Sequence, residues 1–214
     1  HGQALTDLLH EFEEDFAPSG VQDFIWQRPI AGSFVDEWGC GWDKPHRGWV
    51  GQVKHHPLAD WSAFAHYAFP DPMSGGTFDG VPDALAANAG RKYTVAGYYN
   101  LFERLQWLRG MENVLLDLVE EPPQLVSLIG GIVEYNVKAI RRCGDLGIDG
   151  VLLADDWGTQ RSLMISPASW RRHFKPAYAE MVQQARHAGV HVHFHTDGYI
   201  TDIVPDFIEL GVDV

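Results

Sequence analysis

The chain has 214 residues, 45% of them hydrophobic and 12% aromatic with eight Trp, which is enough apolar material for one sizeable core and argues against a disordered or low-complexity polymer. Acidic residues outnumber basic ones by 29 to 16, giving a formal net charge of −13 with no basic run longer than Arg141-Arg142 or Arg171-Arg172, so nucleic acid and anionic membranes are excluded as expected partners. Two cysteines, Cys40 and Cys143, are too few for a disulfide scaffold or a cysteine-rich zinc site, and with no signal peptide and no apolar run of membrane length they fit a cytoplasmic setting.

Leu5, Leu8, Leu9, Phe12 and Phe16 recur at helical spacing and predict an N-terminal amphipathic helix. Asp23 to Ile30 and Trp49 to Val53 read as strands, and the stretch from Pro57 to Gly80 is rich in Pro, Asp and Gly. From Tyr93 onward strands and helices alternate. Tyr93 to Tyr99 is a strand, helices follow over about 101–108 and 111–119, and Pro122-Pro123 sits in the first turn of a long helix that Gly144 and Gly147 close. Ile148 to Ala154 contains the apolar run Val151-Leu152-Leu153 of a strand buried on both faces. A loop to Ile165 follows, then Ser166-Pro167 as N-cap and first helical residue of a helix lasting to His187. Val190 to His195 is a strand, Tyr199 to Leu210 a helix, and Val212-Asp213-Val214 the beginning of another strand. An opening without Met and a half-strand at the close predict a fragment, one partial domain over residues 1–214 truncated at both ends. Strand, crossover helix and strand imply parallel pairing. About five such strands, against the eight of a closed parallel barrel, leave open either part of a barrel or a doubly wound sheet, and in both folds ligands meet the carboxyl ends of the strands.

Three carboxylate-bearing turns follow predicted strands: Asp36-Glu37-Trp38-Gly39, Asp155-Asp156-Trp157-Gly158 and His195-Thr196-Asp197-Gly198. Asp197 also reads as a helix N-cap, whereas Asp155 and Asp156 precede a helix that Ser166 already caps, so this pair suits acid or base work. In His191-Val192-His193-Phe194-His195 alternation turns the three histidines to one face and the apolar pair to the other. His191 and His193 are spaced to share a metal, and equally suit hydrogen bonding in a polar interior; His195, at the carboxyl end beside Asp197, is expected to be functional. No Gly-rich phosphate loop and no Gly-x-Ser-x-Gly elbow occurs, and Cys40 in its aromatic turn reads as packing.

Together, Val35-Asp36-Glu37-Trp38-Gly39, His56-Pro57-Leu58-Ala59-Asp60-Trp61, Phe69-Pro70-Asp71-Pro72, Asp155-Asp156-Trp157-Gly158-Thr159-Gln160, Ile165-Ser166-Pro167 and His195-Thr196-Asp197-Gly198 resemble the uroporphyrinogen decarboxylase superfamily over nearly the whole chain. The resemblance implies an α/β (β/α)8 TIM barrel, here as a fragment of about strands two to six. It also implies one of two chemistries, cofactor-free decarboxylation of tetrapyrrole acetate groups or zinc-dependent methyl transfer with a corrinoid protein or thiol. In the decarboxylases a Phe-x-Asp aspartate accepts the pyrrole N–H groups, a role matched by Asp36, and Arg28 and Arg161 remain for substrate carboxylates. In the methyltransferases zinc is held by a His-x-Cys pair and a later Cys; His195 matches, and Asp197 stands in place of the first Cys.

The expectation is therefore a decarboxylase-type enzyme with Asp36, Asp155, Asp156 and His195 as catalytic residues, and Arg28, Trp157, Gln160, Arg161 and Asp197 facing a small-molecule substrate without a cofactor. The alternatives are a zinc methyltransferase with His195 and Asp197 as ligands, and a non-catalytic barrel fragment. A homodimer is among the expected assemblies.

Overall fold

The computed structural model describes residues 12, 14–22, 31–46 and 51–214. Most of the predicted N-terminal helix, the predicted strand over 23–30 with Arg28, and the first two residues of the strand expected from Trp49 lie outside them.

Among the described residues two sheets organise the fold. A parallel sheet has the order β1 (Phe16–Pro18), β5 (Tyr93–Tyr99), β6 (Gly150–Ala154) and β7 (His191–His195), each new strand adding beside the last. A separate antiparallel sheet consists of β2 (Gly32–Val35), β3 (Gly41–Lys44) and β4 (Gln52–His55). The helices are α1 (Val81–Asn88), α2 (Phe102–Arg109), α3 (Met111–Glu120), α4 (Pro123–Leu146), α5 (Pro167–His173), α6 (Lys175–Ala188) and α7 (Val204–Leu210). The fold is thus mixed α/β around a four-stranded parallel sheet. Val212 to Val214 run on beside β7, where the Phe194 N–H donates to the Val214 carbonyl at 2.9 Å and the Val214 N–H donates to Val192 at 3.2 Å.

The core lies between this sheet and its helices. Val151 and Leu153 of β6 and Val192 of β7 turn inward against Leu128, Ile132 and Ile140 of α4 and Met181, Val182 and Ala185 of α6, all buried. A side chain of this size adds about 1.5–3 kcal/mol when fully removed from water, which is why the periodicity of these segments was legible at all. The two long helices meet where a Cβ on Gly144 would lie 2.5 Å from the Ala188 carbonyl oxygen. Arg109 joins the aromatic segment over 57–66 to α2 and α3, pairing with Asp117 at 2.9 Å and lying 3.9 Å over the ring of Trp61.

Four expectations are corrected. Phe16 belongs to β1, pairing with Tyr93, and its ring meets Tyr93 edge-on at 5.8 Å instead of continuing a helix. Asp36 follows an antiparallel strand, not a strand of the parallel sheet, because its side chain and the positive φ of Gly39 (80°) close a tight hairpin into β3. The helix expected over 166–187 is two helices: Pro176 has no N–H to continue α5, so the chain restarts at Lys175. The helix expected from Tyr199 begins as a 3-10 turn, Thr201–Ile203, and becomes α-helical at Val204-Pro205, where proline is tolerated.

Candidate functional site

Loops leaving β5, β6 and β7 gather at the carboxyl end of the parallel sheet. Asp155, the first residue after β6, is fully buried. Its carboxylate accepts the Leu101 N–H at 2.8 Å, the Glu103 N–H at 2.7 Å and the Tyr178 hydroxyl at 2.6 Å, while its own N–H donates to the His195 carbonyl at 3.1 Å. It therefore ties the ends of three strands to the first turn of α2, where a carboxylate also meets the positive end of the helix. Burial pushes this carboxyl up to about 6 in spite of those donors.

Asp156 points the other way. It stands with His195 and Asp197 so that one ligand atom from each lies within 4.8 Å of the others, and His195 Nε2 is 3.8 Å from an oxygen of each carboxylate. Asp197 is exposed, and the helical turn it was expected to cap starts only at Thr201. What brings the two loops together is a pair of glycines. A Cβ on Gly158 would lie 2.4 Å from the Tyr199 nitrogen, and one on Gly198, whose φ is +82°, would lie 2.4 Å from the Gly158 carbonyl carbon. The crossing is then stitched by Gly158 N–H to Asp197 O at 3.0 Å, Tyr199 N–H to Thr159 O at 2.8 Å and Asp197 N–H to an Asp156 oxygen at 2.9 Å.

Two further residues border this rim that sequence reasoning missed. The pairing of β5 shifts register between Ala96 and Tyr99, with Gly97 at φ +85°. The bulge sends Tyr99 into the core, its hydroxyl 3.3 Å from Cys143 Sγ, and leaves Tyr98 on the rim side. Burial and the charges of Glu103, Asp156, Asp155 and Asp197 all raise the Tyr98 phenol, so it stays a neutral group at physiological pH. Glu103, in the first turn of α2, is pushed up to about 7 by burial and by the Asp155 charge, with the Asn100 amide at 3.4 Å opposing. The isolated Gly97 inside a strand was the available signal for the bulge.

The other predicted site residues take different places. Both oxygens of Asp36 are engaged within its own hairpin: one accepts the Trp38 and Cys40 N–H groups at 3.0 and 2.8 Å, the other the Trp42 indole N–H at 2.8 Å. The buried Arg104 guanidinium lies 3.6 Å away, between the rings of Trp38 and Trp107. Trp157 is fully buried, stacked on Phe102 with ring centroids 4.2 Å apart and donating its indole N–H to the Tyr178 hydroxyl at 3.2 Å. Gln160 and Arg161 are exposed at the loop tip, whose turn is closed by the Thr159 N–H bonding to the Ser162 carbonyl at 2.7 Å. The structure therefore brings Asp155, Asp156, His195 and Asp197 together and leaves Asp36 and Trp157 as packing and positioning groups.

An imidazole and two carboxylates on crossing loops suit a divalent cation. Zinc accepts nitrogen and oxygen donors at about 2.0–2.2 Å and keeps an open position in catalytic sites, so Asp156, His195 and Asp197 fit the ion, with no thiolate among them. No helix among the described residues is long and apolar enough to cross a membrane.

Residues 105–214 match the family model described as Uroporphyrinogen decarboxylase (URO-D). Among solved structures, a methyltransferase from Methanosarcina mazei is similar in fold, with a TM-score of 0.67 at 17% sequence identity over 82% of this chain and 52% of that one. The chain thus spans about half the length of that structure. No curated protein matches the sequence.

Proposed function

We propose that this chain, which belongs to the uroporphyrinogen decarboxylase (URO-D) family, is part of a (β/α)8 barrel enzyme of the metal-dependent, methyl-transferring kind. The observation that carries the reading is the convergence of Asp156, His195 and Asp197 at the carboxyl ends of β6 and β7. A rim that also holds Asp155 and Glu103 favours a cation over a substrate bearing many carboxylates, in keeping with the net charge of −13. Asp156, His195 and Asp197 would hold zinc, which when bound lowers the pKa of a thiol and presents it as the nucleophilic thiolate. The chain's own part is to orient these donors through the Gly158–Gly198 crossing, to fix α2 against the rim through Asp155, and to offer Tyr98 and Glu103 beside the incoming group. A thiol and a methylated corrinoid are the reactants this site suits.

One observation favours a second reading, cofactor-free decarboxylation: Glu103, held near neutrality, is able to deliver a proton to a carbon that has lost CO2. Asp36 has no part in either reading beyond its hairpin.

Zinc titration and methylcobalamin demethylation decide between them. The methyl-transfer reading expects one zinc bound per rim, lost in His195→Ala, and thiol-dependent demethylation that stops with chelator. Loss of an acetate carboxylate from a porphyrinogen, unaffected by chelator and by His195→Ala, would establish the decarboxylase instead.

A further inference from the structure

Towards the opposite end of the same sheet, three side chains from two strands, Tyr93 of β5 and His191 and His193 of β7, converge with no part in the rim. The Tyr93 hydroxyl, on the first residue of β5, lies 2.9 Å from His191 Nδ1 and 3.1 Å from His193 Nε2. His191 is the first residue of β7 and lies about 13 Å along the strand from His195, at about 3.3 Å per residue. The strand between them makes the meeting possible. Gly150 opens β6, and a Cβ there would stand 2.5 Å from the Tyr93 hydroxyl and 3.1 Å from the His193 ring. Any other residue at this position would push the phenol and the imidazole apart.

We propose that Tyr93, His191 and His193 form a second cation site, taking a divalent first-row transition ion of the copper or zinc type through two imidazole nitrogens and the phenol oxygen. Separations of 2.9 and 3.1 Å between donors are those of adjacent ligands around an ion with bonds of about 2.0–2.1 Å. Imidazole with oxygen is a donor set for Cu2+ and Zn2+, and Cu2+ binds such sets most tightly. Asp149 and Asp213 place negative charge beside the phenol, which an arriving cation offsets. Binding displaces the phenol proton into solvent and leaves the oxidation state of the ion unchanged. The donors stand on two strands that each pair with β6 between them, so the site is held by the sheet and not by a loop.

The test is Cu2+ titration of the chain in which the rim is removed by Asp156→Ala, His195→Ala and Asp197→Ala together, followed by calorimetry and visible absorption. One equivalent is expected to remain, with a phenolate-to-copper charge-transfer band and release of one proton. Tyr93→Phe, which keeps the ring packing, is expected to abolish the band and weaken binding about 10–100-fold, and His191→Ala with His193→Ala to remove the equivalent. Circular dichroism checks that each variant folds. Copper bound with unchanged affinity in Tyr93→Phe, or in the double histidine variant, would assign it to other histidines and overturn the site; so would a rim-deleted chain that binds none.

Discussion

Replacing Glu103 with Gln reverses an intuition about removing an acidic group from a site. Burial and the Asp155 charge lift this carboxyl from its ordinary 4.5 to about 7, the Asn100 amide and Arg104 pull it down, and Asp156 adds to the rise. Tyr98 faces it as a neutral phenol. Because the folded value lies above the unfolded one, the native chain holds more protons between about pH 4.5 and 7, and stability falls as pH rises through that window. The displacement corresponds to about 3 kcal/mol at most, lost in full by pH 8. Gln keeps the side chain's shape and its acceptor for Asn100 but cannot ionise. Glu103→Gln is therefore expected to match the wild type near pH 4.5 and to exceed it by about 1–3 kcal/mol at pH 8. The assay is urea unfolding followed by Trp fluorescence at both pH values, with EDTA present to keep cations from the rim. Asp155, raised in the same sense, stays in both proteins and largely cancels in the comparison. A variant no more stable than wild type at pH 8, or a difference of equal size at both pH values, would refute the reasoning.

Asp36→Ala removes the acceptor of three N–H groups and the counter-charge of the buried Arg104, and is expected to cost about 3–5 kcal/mol in urea unfolding, with Asp36→Asn costing less. Gly158→Ala forces a Cβ against the backbone of Tyr199, so the two rim loops should part. Hydrogen exchange should show the amide at position 158 and that of Tyr199 losing protection relative to the wild type while those of β6 keep theirs, and zinc affinity should fall in the same variant.

The sheet and its helices were legible because burial imposes periodicity. The bounds of β5 were read without error, and α2, α3 and α4 to within a few residues, since their apolar spacing and their Pro and Gly ends are written locally. The alternation of His191, Val192 and His193 likewise settled which face β7 buries. What could not be read depends on partners distant in sequence. Asp36 looked like a strand-end carboxylate, and only the fold reveals that its own hairpin consumes it. Trp157 read as a residue facing the substrate, and its ring is wedged against Phe102 some 55 positions earlier. Glu103 carries no motif at all; its elevation comes from burial in the folded chain and from the charge of Asp155, brought to it by parallel pairing of β5 with β6.

Asp155 and Asp156 are neighbours in the chain and opposites in consequence. One is welded into the frame by four hydrogen bonds and tolerates no substitute without loosening three strand ends. The side chain of the other stands outside that frame, as do those of His195, which is partly exposed, and Asp197, which is mostly exposed. Under the proposed zinc site, a substitution among the outward groups would change the ligand set while the inward aspartate preserves the platform. Chemical identity in such a scaffold is a replaceable fitting, and mechanical identity is not.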